Sequence, residues 1–412
     1  MTVDTRPPAE PPITVVGAGA EGWDGFPERI RRLVLDAGTV LGGRRHLAML
    51  PEQPGQRREP WPSPLREGLP GLLWGLGDGD GPVVALASGD PFVSGIGTTL
   101  VDLLGSDAVR VEPAVSSVSL ARARMNWPAE RCTVVSLVGR DARLILPHLG
   151  PRRRLLVLSS GPETPARVAA LLTGAGHPAC RMTVLGDLGA GSETRISGTA
   201  DDWCAAPPDG VPALHVLALE TVDGAGYGSA PGLPDDAFES DGQLTRRDLR
   251  ASALSRLVPF PGGYLWDVGA GAGSVGIEWM RTDPSCTATA VEAAAERASR
   301  VRRNAGALGV PGLQVVHGRA PEALEGLPAP DAVFLGGGAT RPGVLDACLD
   351  ALRPGGRIVV HGVTLETEHL LADAYRGRGG ELIRIAVEAT APVGTFTGWT
   401  PARTVTQWSL TL

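Results

Sequence analysis

The stretch LWDVGAGAGSVGIE, Leu265 to Glu278, constrains this chain more than any other. An apolar run that ends in an acid, then glycines at alternate positions, then an amphipathic continuation, reads as strand, tight turn and helix, the opening of a parallel α/β unit. Gly271, Gly273 and Gly276 spell GxGxxG, the spacing that lets a pyrophosphate approach a helix N-terminus. Asp267 with Gly269, Gly271 and Gly273 equally spells DxGxGxG. A carboxylate at the strand end opposes a diphosphate and suits a cation, such as the ammonium group of S-adenosylmethionine.

Downstream residues bear on the same choice. CTATAVE places Glu292 at the end of the next strand, where two carboxylate oxygens accept from ribose hydroxyls; that acid alone fits NAD equally well. Gly318, Arg319 and Ala320, after the third strand, are placed to flank an adenine. DAVFLGGGAT lacks the DPPY or NPPY of amine methylases, and Gly336, Gly337 and Gly338 either keep a wall low for a bulky ligand or form an ordinary loop. ELIRIAVEA and ARTVTQWSLTL close the unit with two consecutive strands, an antiparallel hairpin that departs from the plain dinucleotide fold. Together these features favour a class I Rossmann-like methyltransferase over a nicotinamide oxidoreductase.

The segment Asp223 to Gly242 is rich in Gly, Pro, Asp and Ser without apolar period, and reads as a linker. Before it, ITVVG, VVALASGDP, TVVSLVG, LLVLSSG and HVLALE are strand candidates, with a helix opening at Thr164 as N-cap and Pro165 as first helical residue. They predict an α/β domain with a largely parallel sheet. The expected plan is a disordered tail over 1–12, a first domain over 13–222, the linker over 223–242 and a second domain over 243–412.

Composition narrows the function. A net charge of −7 argues against a nucleic-acid binder working through a general basic field. The 38 basic residues are all arginine, which excludes lysine Schiff-base and P-loop chemistry and leaves a side chain suited to carboxylates. Five scattered cysteines without CxxC read as reduced thiols, and seven histidines without ligand spacing predict no bound metal. The polar, Pro-rich start and the lack of a long apolar run predict a cytoplasmic protein that makes no membrane contact.

The order of motifs resembles the fused precorrin C(5,15)-methyltransferases (decarboxylating) of cobalamin biosynthesis. GQLTRRDLRA, DVGAGAGSVGIEW, AVEAAAERA, GRAPEAL and LRPGGRIVVHGVTLET are similar to the carbon-15 methylase and decarboxylase half. VVGAGAEGW, LGGRRHL, ASGDPFVSGIG, EPAVSSVSLARARM and SSGPETPARVA are similar to a tetrapyrrole methylase (class III methyltransferase) of the carbon-5 type. The resemblance implies two S-adenosylmethionine sites. One takes Thr245, Gly269, Ala270, Gly271, Ala272, Gly273, Glu292 and Ala320; the other takes the turns at Gly17 and Gly19, at Ser88, Gly89 and Asp90, and at Ser116 and Ser117. For Asp90 an Asx turn is the competing reading. The family also implies a precorrin substrate, precorrin-6B going to precorrin-8X with loss of the ring C acetate carboxyl, and a homo-oligomer in transient contact with neighbouring enzymes.

A polycarboxylate substrate gives the arginines a task. Arg44, Arg45, Arg122, Arg124, Arg250 and Arg341, together with Arg246 and Arg247, lie near the sites in motif order, each able to hold a carboxylate or to be an ordinary surface residue. Arg152 to Arg154 and the helix face Arg297, Arg300 and Arg303 read as solvated. His361, Glu366 and His369 are either proton carriers or cap and surface residues, so no catalytic acid or base is assigned. A non-catalytic tetrapyrrole-binding scaffold remains the other alternative.

Overall fold

The computed structural model describes residues 13–76, 81–222 and 226–412; the tail at 1–12 and the start of the expected linker lie outside them. The chain divides into two compact units, 1–142 with 151–224, and 143–150 with 225–412.

The first unit opens with β1 (Ile13–Ala18), α1 (Glu28–Leu35), β2 (Thr39–Gly42), α2 (Arg44–Ala48), β3 (Arg57–Pro60), α3 (Leu65–Trp74), β4 (Val83–Ser88), α4 (Ile96–Leu104) and β5 (Val109–Glu112). Its five strands form a sheet in the order β3-β2-β4-β1-β5, every pair parallel. Alternation puts Val15, Leu41 and Ala85 on one face and Val16, Val40 and Val84 on the other, so each face carries its own apolar cluster. There follow α5 (Ser117–Met125), β6 (Thr133–Ser136), β7 (Arg154–Leu158), α6 (Thr164–Gly174), β8 (Arg181–Gly186), β9 (Thr194–Thr199), α7 (Ala200–Ala205) and β10 (His215–Glu220).

This second sheet, ordered β6-β7-β10-β8-β9, is parallel only between β6 and β7. The expectation of a largely parallel sheet therefore holds for half of the unit. The β8–β9 connection is too short to carry a crossover, so those strands run antiparallel, and β10 runs antiparallel to both neighbours. Thr164 is already helical and Glu163 is the cap residue; the Thr164 hydroxyl instead accepts the N–H groups of Ser160 and Gly161.

The second unit contains α8 (Arg247–Leu257), β11 (Tyr264–Val268), α9 (Ser274–Thr282), β12 (Thr287–Glu292), α10 (Ala295–Ala307), β13 (Gln314–His317), β14 (Ala332–Leu335), α11 (Val344–Ala351), β15 (Arg357–Gly362), α12 (Leu365–Arg378), β16 (Glu381–Ile385), β17 (Glu388–Val393), β18 (Phe396–Pro401) and β19 (Val405–Thr411). Its seven-stranded sheet runs β13-β12-β11-β14-β15-β19-β16. The first five strands are parallel, while β19 is antiparallel to both β15 and β16, as the terminal strand pair predicts. The intervening Gly/Thr/Pro-rich stretch forms a separate hairpin, β17 with β18. Leu265, Ala290 and Phe334 face α8, α9 and α10; Trp266, Val333 and Val360 face α11 and α12.

The stretch 232–241 is not a free linker. Leu233 and Phe238 are buried in the core beside α8 and α9. Arg250, fully buried, donates Nε to Glu278 at 2.7 Å and Nη1 to Asp235 at 2.9 Å, gives Nη2 to the Leu233 carbonyl, and stacks on Phe238. Glu278 also accepts the N–H groups of Gly232 and Leu233. Composition misreads this segment because ion pairs and backbone acceptors, rather than an apolar period, tie it down.

Candidate functional site

In the first unit the close parallel pairing of β1 and β4 sets Ala18 opposite Ser88, so both glycine turns emerge side by side. Gly89 donates its N–H to the Ala18 carbonyl at 2.8 Å. A Cβ on Gly17 would lie 2.6 Å from the Ala114 nitrogen and closer still to the Gly89 carbonyl, so only glycine admits both neighbours. Gly17, Gly89, Ser116 and Ser117 thus converge. Ser116 caps α5 by accepting the Ser119 N–H at 3.1 Å. Asp90 Oδ1 accepts the Phe92 N–H at 2.8 Å, the Asx turn weighed above. Gly19 lies on the same loop, beside the Glu21 carboxylate.

The arginines of this unit separate. Arg45 reaches Ser88 Oγ at 3.4 Å and His46 Nε2 at 3.3 Å, and Ser88 Oγ lies 3.2 Å from the same His46 nitrogen. Burial, with the Arg45 charge adding to it, pushes the His46 imidazole down to about 4. Arg44 is exposed, and the Arg122 Nε is buried without a partner. Arg124 is engaged bidentately by Glu193 on the surface of the unit. Arg152, Arg153 and Arg154 line an open cleft with Arg131, Arg181 and Glu220.

The second unit holds a cavity of about 460 Å³ at the carboxyl ends of β11, β12 and β14, within the range of small-ligand sites. Thr245, Gly269, Ala270, Gly271, Glu292, Gly318, Arg319, Ala320 and Arg341 all line it. Glu292 is held by two backbone donors, Gly271 N–H to Oε2 at 2.8 Å and Ala294 N–H to Oε1 at 2.9 Å, and each oxygen keeps a lone pair for a further donor. A Cβ on Gly269 would lie 2.7 Å from the Gly337 carbonyl, so the two glycine loops pack backbone to backbone. Nothing lies within 4 Å of a Cβ built on Gly337 or Gly338, so the backbone is open at these two positions.

Asp267, Ala272 and Gly273 do not line the cavity. Asp267 and Leu265 share a face of β11 by strand alternation, and Asp267 Oδ2 accepts the Gly276 N–H of α9 at 2.9 Å. Burial, with the Glu292 charge in support, raises the Asp267 carboxyl to about 7. The expected direct contact of Asp267 with a cationic ligand is thereby corrected: the side chain sits behind the turn and fills a donor position of the α9 N-terminus. Ala272 and Gly273 are buried beneath the turn, Gly273 against Val301. Arg250 is the buried ion-pair centre described above, not a substrate contact. Arg246 pairs with Asp235, and Arg341 pairs with Glu322 at 2.9 Å at the cavity edge.

Arg297, read from the sequence as solvated, lines the cavity and pairs with Asp241 at 2.8 Å; Arg300 and Arg303 hold Asp241 and Glu239. Gln243 and Leu244 also belong to the wall. His361 lines the cavity, whereas Glu366 and His369 are exposed on α12.

Residues 12–203 match the model for tetrapyrrole (corrin/porphyrin) methylases and residues 236–412 that for a precorrin methyltransferase domain. The precorrin-6Y C(5,15)-methyltransferase [decarboxylating] of a Sinorhizobium species is 43% identical over 97% of this chain and 96% of its own length. The chain belongs to the precorrin-6Y C(5,15)-methyltransferase (decarboxylating) family. The protein of that name from Mycobacterium tuberculosis is 42% identical over 97% of this chain and 99% of its own length. The crystallised C-terminal domain of precorrin-6Y C5,15-methyltransferase from Rhodobacter capsulatus is 40% identical, covering 45% of this chain and all of that one, with a TM-score of 0.43. As a member of the precorrin-6Y methyltransferase family the chain is a methyltransferase of cobalamin biosynthesis, with a tetrapyrrole methylase domain ahead of a precorrin methyltransferase domain. Membership sets aside the oxidoreductase and scaffold alternatives. Among the described residues no helix is long and apolar enough to cross a membrane.

Proposed function

We propose that the second unit binds S-adenosylmethionine in its cavity and methylates carbon 15 of a precorrin with loss of carbon dioxide, while the first unit binds a second S-adenosylmethionine beside Gly17 and Gly89 and methylates carbon 5. The observation that carries the reading is the pairing of Glu292, presented to the cavity by two backbone donors, with an α9 N-terminus at which the buried Asp267 takes the Gly276 N–H. That leaves a dinucleotide diphosphate one backbone donor fewer at this turn. A nucleoside with a cationic tail meets an acceptor for its ribose and an anionic background.

Once bound, the cofactor supplies an electrophilic methyl group on a sulfonium. Glu292 orients the ribose, Gly318 to Ala320 flank the base, and the open backbone at Gly337 and Gly338 leaves room for the macrocycle. Arg319 and Arg341 in the second unit, and Arg44, Arg45 and Arg122 in the first, supply guanidinium groups for its carboxylates. Positioning and exclusion of water then provide most of the acceleration, because the attacking carbon is already electron-rich.

We place the first domain at 13–222 and start the second ahead of Gly232, and we read the protein as a cytoplasmic homo-oligomer, which light scattering on a sizing column checks. Precorrin-6B incubated with excess S-adenosylmethionine is expected to give precorrin-8X, seen by mass spectrometry as two added methyl groups and one lost carbon dioxide. A product unchanged in mass overturns the reading.

A further inference from the structure

His361 is an unusual group to find in the wall of this cavity. It is buried in β15, opposite Gln407 of β19 in the sheet register, and its ring stands edge-on to Phe334 at 5.0 Å. Its Nε2 lies 2.9 Å from Gln407 Oε1, and Gln407 is fully buried. The same oxygen accepts from Ser252 Oγ at 3.1 Å, and that hydroxyl's lone pair is taken by Arg256 Nη1 at 3.0 Å. In this orientation of its amide, which leaves Gln407 Nε2 buried without a partner, Gln407 Oε1 accepts from Ser252 Oγ and faces His361 Nε2, a contact that a proton on Nε2 satisfies. Nδ1 keeps the lone pair. Placing a His–Gln pair where two apolar residues would pack costs desolvation, which a packing role alone does not offset.

The reaction supplies a use for that lone pair, and this step rests on the function proposed above. Adding a methyl cation equivalent to the macrocycle leaves it one positive charge in excess, restored by loss of one proton. Breaking the bond to the departing carbon dioxide leaves an electron pair on the macrocycle side, and the bared carbon must take up one proton. The two demands cancel if one group accepts the first proton and returns it. We propose that His361 Nδ1 is this proton carrier, with Gln407 holding the ring so that the imidazolium keeps its Nε2–H bond while Nδ1 is loaded.

The charged groups around the pair are Arg256 on α8, paired with Glu381 of β16; Glu368 on α12, bonded to Thr406 and paired with Arg384; and Glu292, Arg319 and Arg341 along the cavity. Burial, opposed by the Gln407 hydrogen bond and aided by Arg256, lowers the imidazole to about 4 in the free protein, so it is unloaded when substrate arrives.

The test uses the full chain. In ¹⁵N-histidine NMR, His361 is expected as the Nε2–H tautomer from pH 6 to 8; an Nδ1–H tautomer overturns the proposal. Gln407→Glu keeps the ring and adds a negative partner, so the midpoint of that titration and the acid limb of the carbon-15 rate profile are expected to rise together by a unit or more. Rise of the NMR midpoint alone overturns it. In single turnover, His361→Gln is expected to slow carbon dioxide release about 10²- to 10⁴-fold with S-adenosylhomocysteine affinity unchanged. Wild-type protein that neither methylates nor decarboxylates sinks the functional reading; active wild type with an equally fast His361→Gln sinks only this one.

Discussion

Asp267 Oδ2 accepts the Gly276 N–H at 2.9 Å, so a buried carboxyl caps the helix that a dinucleotide would otherwise claim. Its other oxygen is buried without a partner. The arrangement links cofactor class to a measurable pH dependence.

Because burial raises the folded-state Asp267 from 3.8 to about 7, the folded protein holds a proton that the unfolded chain has released between those values. Stability from this group is therefore full below the unfolded value and falls as pH rises toward 7, by about 1.4 kcal/mol per unit. Asp267→Asn removes the dependence. The variant is expected to melt higher than wild type at pH 7.5 and to lose most of that advantage at pH 5. Parallel melting curves for the two proteins across that range contradict the assignment.

Glu292→Ala removes a charged acceptor from the second unit's cavity. At roughly 1.5 to 3 kcal/mol for each of two hydrogen bonds to a charged group, S-adenosylhomocysteine is expected to bind about 10²- to 10⁴-fold more weakly at that site. Calorimetry of wild type should resolve two binding events and of the variant one. Loss of both events places the two sites in one cooperative unit and counts against separate assignments.

Asp90→Asn retains an oxygen for the Phe92 N–H and discards the negative charge. A folded variant with unchanged melting is expected, along with a raised cofactor requirement at carbon 5 and intact decarboxylation. Unfolding, together with normal cofactor affinity in the folded remainder, makes the residue purely a turn former.

Arg250→Met leaves Glu278 buried and unpaired, a situation that costs about 3 to 5 kcal/mol. The same logic sets the limits of the second unit: a fragment beginning at Gly242 lacks Leu233, Asp235 and Phe238, whereas one beginning at Tyr227 keeps them. The longer fragment is expected to resist urea to a clearly higher concentration. Equal midpoints would show that the Arg250 cluster contributes nothing.

Much of the second unit was legible because its signals are local. DVGAG, CTATAVE and RIVVHG each combine an apolar run with a turn residue, and Glu292 falls where the strand ends. The missed features depend on partners distant in sequence. Arg297 reads as solvated until Asp241 folds back onto it, and Arg250 reads as a substrate contact until Glu278, 28 positions on, is seen to neutralise it. His361 has no signal in the sequence that separates it from His369; only the pairing with Gln407 does. In the first unit the antiparallel half was hidden because RMTVLG and TRISGT carry no hairpin dipeptide between them.

The order of strands in the second sheet has a consequence for synthesis. Among the described residues β16 pairs with β19 alone, which the ribosome makes later, after the β17–β18 hairpin has emerged. A nascent chain halted between Ile385 and Val405 presents β15 and β16 as two open edges and has His361 but not Gln407. Such a chain already has the glycine turn and Glu292, so it can acquire ligand affinity before it can handle a proton, and its exposed edges make it a client for chaperones until β19 slides between them.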